Sequence, residues 1–272
     1  MHVGILTPAG FVRALTLFAS LLALNGCGAA NGIDPIVNAR YTDPTERYGH
    51  FALGRPHEYA RLVVTTESGQ TLSLALPADE VFEDLAPRRV RLAPDEPESL
   101  LTIISQRERG ARLALVQVDA SGLSIRARSP AIGQSNRWLS PVGVADLDGD
   151  GQAEIAAVIT PHIGGTLKIY RQQGHRLVEV AALSGFSNHA YGSPQLGLSK
   201  PITIAGRAHL IVPDATRTQL RIIALHNRQL VETGRCQLPA PITGTIASLS
   251  EGTLSVVTQA GEQIVALDTC LG

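Results

Sequence analysis

The nine residues Asp146-Leu147-Asp148-Gly149-Asp150-Gly151-Gln152-Ala153-Glu154 set four carboxylates in the pattern D-x-D-x-D-G-x-x-E. Alternate side chains of a tight loop converge their oxygens on one point, which is what a hard cation such as calcium requires. Asp146, Asp148 and Asp150 supply carboxylates at positions 1, 3 and 5, and Gly151 at position 6 permits the sharp turn. Gln152 offers its backbone carbonyl, and Glu154 closes the shell directly or through water. An EF-hand needs a bidentate glutamate at position 12 and two flanking helices. Here position 12 is Ala157 and the flanks are β-rich. The expectation is one structural calcium ion that ties two strands together without chemistry.

A second set of residues is dispersed: His50, Asn136-Arg137-Trp138, His162, Asn188-His189 and Arg217, with Arg107, Arg109 and Asp214 in similar surroundings. Each also has a plain reading. Trp138 can pack between sheets, His162 can sit exposed in a hairpin turn, and Asn188-His189 can cap a loop by side-chain-to-backbone bonds. His162 and His189 could together bind a transition metal, although no third ligand is near in sequence. These residues form a site only if the fold brings their loops to one face.

The elements that could do so recur with a period of about 54 residues. Leu177-Val178-Glu179 returns as Leu230-Val231-Glu232; Leu100, Ile155 and Leu210 open short apolar runs 55 residues apart. Leu123, Leu177 and Leu230 open further runs at spacings of 54 and 53. The runs are rich in Val, Ile, Leu and Thr and are separated by Gly, Pro, Asn or Asp, so they read as strands in hairpins. In the clearest unit, residues 141–145, 155–160, 166–171 and 176–183 form strands a to d, with the acidic loop between a and b. Four antiparallel strands per unit predict an all-β chain, a β-propeller of about five blades, or six if residues 34–49 contribute more than one strand. Strands a begin near His50, Arg88, Pro141, Pro194 and Thr243. The last blade lacks a fourth strand, and residues 33–40 are its expected donor, closing the ring. In such a ring the acidic loop lies on one face, and the dispersed His, Asn, Arg and Trp residues gather on the other.

The stretch Val142-Gly143-Val144-Ala145-Asp146 through Glu154-Ile155 resembles the bacterial FG-GAP/VCBS-type repeat. The resemblance implies propeller blades with calcium in the a–b loop. It covers residues 50–272 as a repeat but only one blade as a metal motif. The equivalent loop before it, Leu92-Ala93-Pro94-Asp95-Glu96-Pro97-Glu98, lacks the glycines, and Ser199-Lys200-Pro201-Ile202-Thr203 after it carries no carboxylate.

Residues 1–26 read as a secretory signal: Arg13, then an apolar run over residues 14–24, too short to span a bilayer permanently. Its end, Leu24-Asn25-Gly26-Cys27, resembles the bacterial lipobox, which implies acylation of Cys27; the alternative is an ordinary signal peptide cut near Ala29. Residues 27–49 are then anchor, linker and closing strand. Gly28 after the cysteine leans, by resemblance, toward the outer membrane of a bacterial envelope. Cys236 and Cys270 remain, an even pair that reads as a disulfide in an oxidising compartment. Against that, the strand register puts them toward opposite ends of neighbouring blades, where two buried thiols would stay free.

The 272 residues are 44% apolar, and 23 Lys+Arg face 24 Asp+Glu, for a formal charge of −1. That composition excludes a disordered polyelectrolyte and a basic nucleic-acid binder. No nucleophile elbow, P-loop or zinc spacing is present. The expected function is therefore non-catalytic: a lipid-anchored, calcium-stabilised propeller offering a face to an envelope protein or a glycan. The alternatives are a hydrolase or lyase working on the His/Arg-rich face, and a scaffold subunit of an envelope assembly.

Overall fold

Strand segments Ser99–Gln106 and Glu154–Ile159 bury seven and six residues in succession. Both faces of such strands are covered, which is why their sequences are continuous apolar runs and not alternating ones. The structure, a computed structural model, describes residues 1–4 and 34–271. The chain divides into Met1–Gly32 and Ile33–Gly272, and every described strand belongs to the second unit. The signal segment and Cys27 lie outside the described residues. Among the described residues no helix is long and apolar enough to cross a membrane.

The fold is all-β, with antiparallel ladders following one another along the chain. The first group is β1 (Ile36–Thr45), β2 (Glu58–Thr66) and β3 (Thr71–Ala75). The second is β4 (Glu80–Phe82), β5 (Arg88–Val90), β6 (Ser99–Gln106), β7 (Gly110–Asp119) and β8 (Gly122–Arg128), with β4 and β5 end to end along one edge of β6. The third is β9 (Leu139–Ala145), β10 (Glu154–Ile159), β11 (Gly165–Gln173) and β12 (Arg176–Phe186). The fourth is β13 (Lys200–Ile204), β14 (Arg207–Pro213), β15 (Gln219–His226) and β16 (Gln229–Gln237). The fifth is β17 (Ile242–Ser250), β18 (Thr253–Thr258) and β19 (Gly261–Ala266). By hydrogen bonding these make sheets of twelve, four and three strands. The twelve-stranded sheet is continuous only through two single pairs, Tyr59 with Phe82 and Arg128 with Arg176.

Successive groups stack face to face. In β6, Leu101 and Ile103 join a core with Leu113, Trp138 and Ile155, while Leu100 and Ile104 pack the other way on Leu62, Val64 and Phe82. In β10, Ile155 and Ala157 face back while Ala156 and Val158 face forward, onto Leu210, Val212 and Ile223. In β15, Leu220 and Ile222 continue the series onto Ile246, Leu254 and Val256. The period of two in a strand divides each run between two cores.

Two expectations are corrected. The N-terminal strand β1 does not complete the last sheet: it pairs with β2 over Ile36↔Thr66 to Thr45↔Glu58, and among the described residues the last sheet has three strands. Ile36 and Tyr41 of β1 bury in the core of the first two groups, and a partner twelve residues away costs less loop-closure entropy than one at the far end of the chain. Nor do Cys236 and Cys270 stand at opposite ends of neighbouring sheets. After β19 a 3₁₀ turn, Leu267–Thr269, carries the chain back onto β16, where Leu271 bridges Gly234 and Cys270 accepts a bond from Arg235 N. The two cysteines are disulfide-bonded with Cα atoms 4.8 Å apart.

Candidate functional site

Five loops meet beside Trp138. Residues 46–57 between β1 and β2 bring His50; residues 129–138 bring Asn136, Arg137 and Trp138; residues 160–164 bring His162. Residues 187–199 bring Asn188 and His189, and residues 214–218 bring Arg217. His50, Asn136, Arg137, Trp138 and His162 line one cleft of about 140 Å³ with Thr160, Ile163 and Tyr191.

Hydrogen bonds from backbone and side chains fasten these loops. Gly192 N donates to Ala52 O at 2.8 Å, Thr160 N to Trp138 O at 2.9 Å, and Tyr191 Oη to His50 O at 2.7 Å. Glu58, buried, accepts His50 N at 2.9 Å and Phe51 N at 3.3 Å. Phe51, Asn136 and Thr160 all hold positive φ, near +50°. For bulky or β-branched side chains that conformation is costly and survives only where surroundings impose it.

Beneath the cleft is an imidazole relay. His189 Nε2 lies 2.8 Å from Ser193 O, and a carbonyl only accepts, so that nitrogen carries the hydrogen. Neutral His189 then presents a lone pair at Nδ1, to which His162 Nε2 donates at 2.7 Å. Neutral His162 is left with its Nδ1 lone pair unused by this relay. Burial pushes both rings down to about 4; for His162 the neighbouring His189 adds to this, and for His189 the bond to Ser193 opposes it. In this arrangement the facing nitrogens of His162 and His189 are spent on each other.

On the other side, His50 Nδ1 meets Glu83 Oε1 at 2.7 Å, and Ser105 donates to the other carboxylate oxygen. Glu83 is only 2% exposed, and burial raises its carboxyl against the opposing effect of His50. Trp138 is 1% exposed, stacks parallel on His162 at 5.9 Å and donates Nε1–H to Glu83 O at 2.9 Å. It is the floor of the cleft. The exposed ring is Tyr191, 61% accessible, edge-on to His162 at 5.4 Å.

Asn188 and Arg217 stand apart from the cleft. Asn188 is buried and donates to Ser140 O and Ser199 Oγ, and Arg217 reaches Ser187 Oγ at 3.1 Å and His189 O at 3.4 Å. Sequence reasoning missed Tyr191, Thr160 and Glu83. Tyr191 could have been found two residues after His189; the signal for Glu83 was a carboxylate inside the run Val81-Phe82-Glu83-Asp84-Leu85.

The acidic loop connects β9 to β10. Leu147 is buried, and Ala153 N donates to Leu92 O of the preceding group, so the loop is anchored at both ends. Gly151, at φ +88°, makes the turn that a side chain would resist. Asp146 accepts Gly149 N and Asp150 N on Oδ1 and Gly151 N on Oδ2. Asp148 and Asp150 accept the amides of Asp150 and Gln152, and Glu154 Oε2 accepts Leu147 N. Oxygens of Asp146, Asp148 and Glu154 lie within 4.8 Å of one another.

A cation is already present among them. The β10–β11 register pairs Ile155 with Tyr170, so the next residues, Glu154 and Arg171, oppose each other. The Arg171 guanidinium bonds Asp148 Oδ2 at 2.7 Å, Asp150 Oδ2 at 2.8 Å and, through Nε, Glu154 Oε1 at 2.9 Å. All eight carboxylate oxygens of the loop therefore accept a hydrogen bond. The bonds that Arg171 donates to Glu154 raise its guanidinium, while burial raises Glu154 itself. The donor set fits a hard cation in kind, and Gln152 adds a carbonyl. Three of its oxygens, however, are engaged by the arginine.

Compared with models of known protein families, the chain matches none, and no curated protein matches it.

Proposed function

We propose that this chain is a non-catalytic, lipid-anchored protein of the bacterial cell envelope. On this reading it is a five-bladed β-propeller of the FG-GAP/VCBS type that presents one face to an envelope protein or a glycan. The ring reading is supported by five consecutive antiparallel groups, each buried on both sides where it has a neighbour, and by the approach of the first strands of the third and fourth groups, β9 and β13, Gly143 against Pro201. Acylation of Cys27 supplies the anchor and the outer membrane its place. Asp146, Asp148, Asp150, the Gln152 carbonyl and Glu154 would hold calcium, which would supply the charge that ties β9 to β10.

The observation that carries the binding role is the cleft: four loops clamped to one another around an exposed, tethered aromatic ring. Loops held on a rigid sheet scaffold are where binding residues are usually placed. Affinity capture from native membranes, with the acylated chain and with Tyr191→Ala, tests it. A partner or glycan retained by the native chain and lost with Tyr191→Ala supports the reading; identical capture by both removes it. The His50–Glu83 pair favours the second reading, a hydrolase or lyase, because a carboxylate that orients an imidazole is the usual support of a general base. Turnover of a glycan or ester library that His50→Gln abolishes would establish that reading instead.

A further inference from the structure

We propose that Arg171 is a built-in counter-cation of the acidic loop and that calcium and Arg171 close the loop in mutually exclusive ways. The inference rests on reading residues 146–154 as a calcium loop and adds the residue that regulates it. A guanidinium forks to two or three carboxylates with fixed geometry, and Arg171 does so to Asp148, Asp150 and Glu154, three of the four carboxylates that would coordinate the ion. Calcium needs those same oxygens at about 2.3–2.6 Å. A guanidinium bonded to three of them stands where the ion would, so one must leave before the other enters.

Two features make the exchange feasible. Four carboxylates and one guanidinium leave a formal charge of −3, so the arginine-closed loop still attracts a divalent ion, and exchange lowers that charge to −2. The displaced side chain also has a destination. Arg171 borders a polar cleft of about 160 Å³ whose lining includes Glu96, Arg126, Gln152 and Gln172. The consequence is a loop that stays folded without metal and takes calcium weakly, because the apparent affinity is reduced by the fraction of molecules in which Arg171 is already released.

The test uses the full chain, followed by thermal melting in EDTA and across a calcium titration. The native chain is expected to melt at the same temperature in EDTA and in micromolar calcium. Arg171→Leu is expected to melt lower in EDTA, to regain stability with calcium, and to bind the ion on the order of tenfold more tightly or better. Arg171→Lys, which keeps a charge but cannot bridge three carboxylates, falls between them and serves if the leucine variant does not fold. In the native chain labelled with ¹⁵N-arginine, the Arg171 Nε–H signal should be protected without calcium and lose that protection as calcium is added. Calcium binding with the Arg171 signal unchanged, or no tightening in either variant, overturns the proposal. In the first of those results the loop still binds calcium and its reading survives; if neither the native chain nor the variants bind the ion, both fall.

Discussion

His162 Nε2 stands 2.7 Å from His189 Nδ1, and the hydrogen bond between them requires one ring to give and the other to accept. That arrangement holds only while the accepting ring, His189, is neutral, and burial disfavours charge on either ring. Their folded pKa values, about 4, lie below the unfolded value of 6.5, chiefly through burial. As pH falls from 6.5 toward 4 the unfolded chain takes up protons that the folded chain refuses, so stability present above 6.5 is lost across that window. The midpoint of urea unfolding is expected to fall between pH 7 and pH 5, and to fall less in the double variant His162→Gln/His189→Gln. Equal pH dependence in the two proteins would show that the rings are not held neutral.

Trp138 is the chain's one tryptophan and reports on the same place. Stacked on His162 and bonded to the Glu83 carbonyl, it should emit at shorter wavelength in the folded than in the unfolded chain. Trp138→Phe removes a buried donor and leaves the carbonyl unpaired, at a cost of about 1–3 kcal/mol. Urea titration at neutral pH checks it; a variant as stable as the native chain would mean that the indole bond contributes nothing.

The sequence announced the strands and the acidic loop because both are local patterns: a run of apolar residues, and carboxylates at alternate positions. What it hid was set by pairing between distant segments. Arg171 enters the acidic loop only because the β10–β11 register sets it opposite Glu154, and no spacing within residues 146–154 shows that. The partner of β1 was misread because the repeat period gives the number of strands in a unit but not which edge a terminal strand will take. The 3₁₀ turn that returns Cys270 to Cys236 is three residues long and has no periodicity to detect. Tyr191 and Glu83 matter through what they touch, His50 in both cases, and that contact exists only after folding.

The Cys236–Cys270 bond closes the C-terminal end onto β16 across a sequence separation of 34 residues. A loop of that length gives about 3–4 kcal/mol by the chain-entropy estimate. Cys236→Ser/Cys270→Ser should lose that much in urea titration and should show faster amide exchange in β19 than in β10. A loss confined to a few tenths of a kcal/mol would mean that the backbone bonds from Arg235 to Cys270 and from Leu271 to Leu267 hold the end without it.

Gly143 tests the packing of the third group against the fourth. A Cβ there would come within 2.6 Å of Pro201 Cγ and Cδ, and the backbone, at φ +152°, disfavours a side chain as well. Proline cannot move aside, so Gly143→Ala should cost about 1–3 kcal/mol. Combining it with Pro201→Ala should recover part of that loss, because the clash is with the ring. Strict additivity in the double-mutant cycle would mean that β9 and β13 do not approach each other in solution.

Asp146 separates the folding of the acidic loop from its filling by a cation. Its carboxylate takes three amide hydrogens, from Gly149, Asp150 and Gly151, and no bond from Arg171. These bonds bend the chain whether the loop holds a guanidinium or a metal. Asp146→Ala leaves the three amides without that acceptor and should cost about 1–3 kcal/mol already in EDTA, with a further loss wherever calcium stabilises the chain, because the same carboxylate is one of the proposed ligands. Asp148→Asn should behave differently, since Asp148 meets one amide and Arg171: a small loss in EDTA, and a larger one wherever calcium stabilises the chain. If instead Asp146→Ala is harmless in EDTA and harmful only with calcium, the turn is organised by the ion and not by its own backbone.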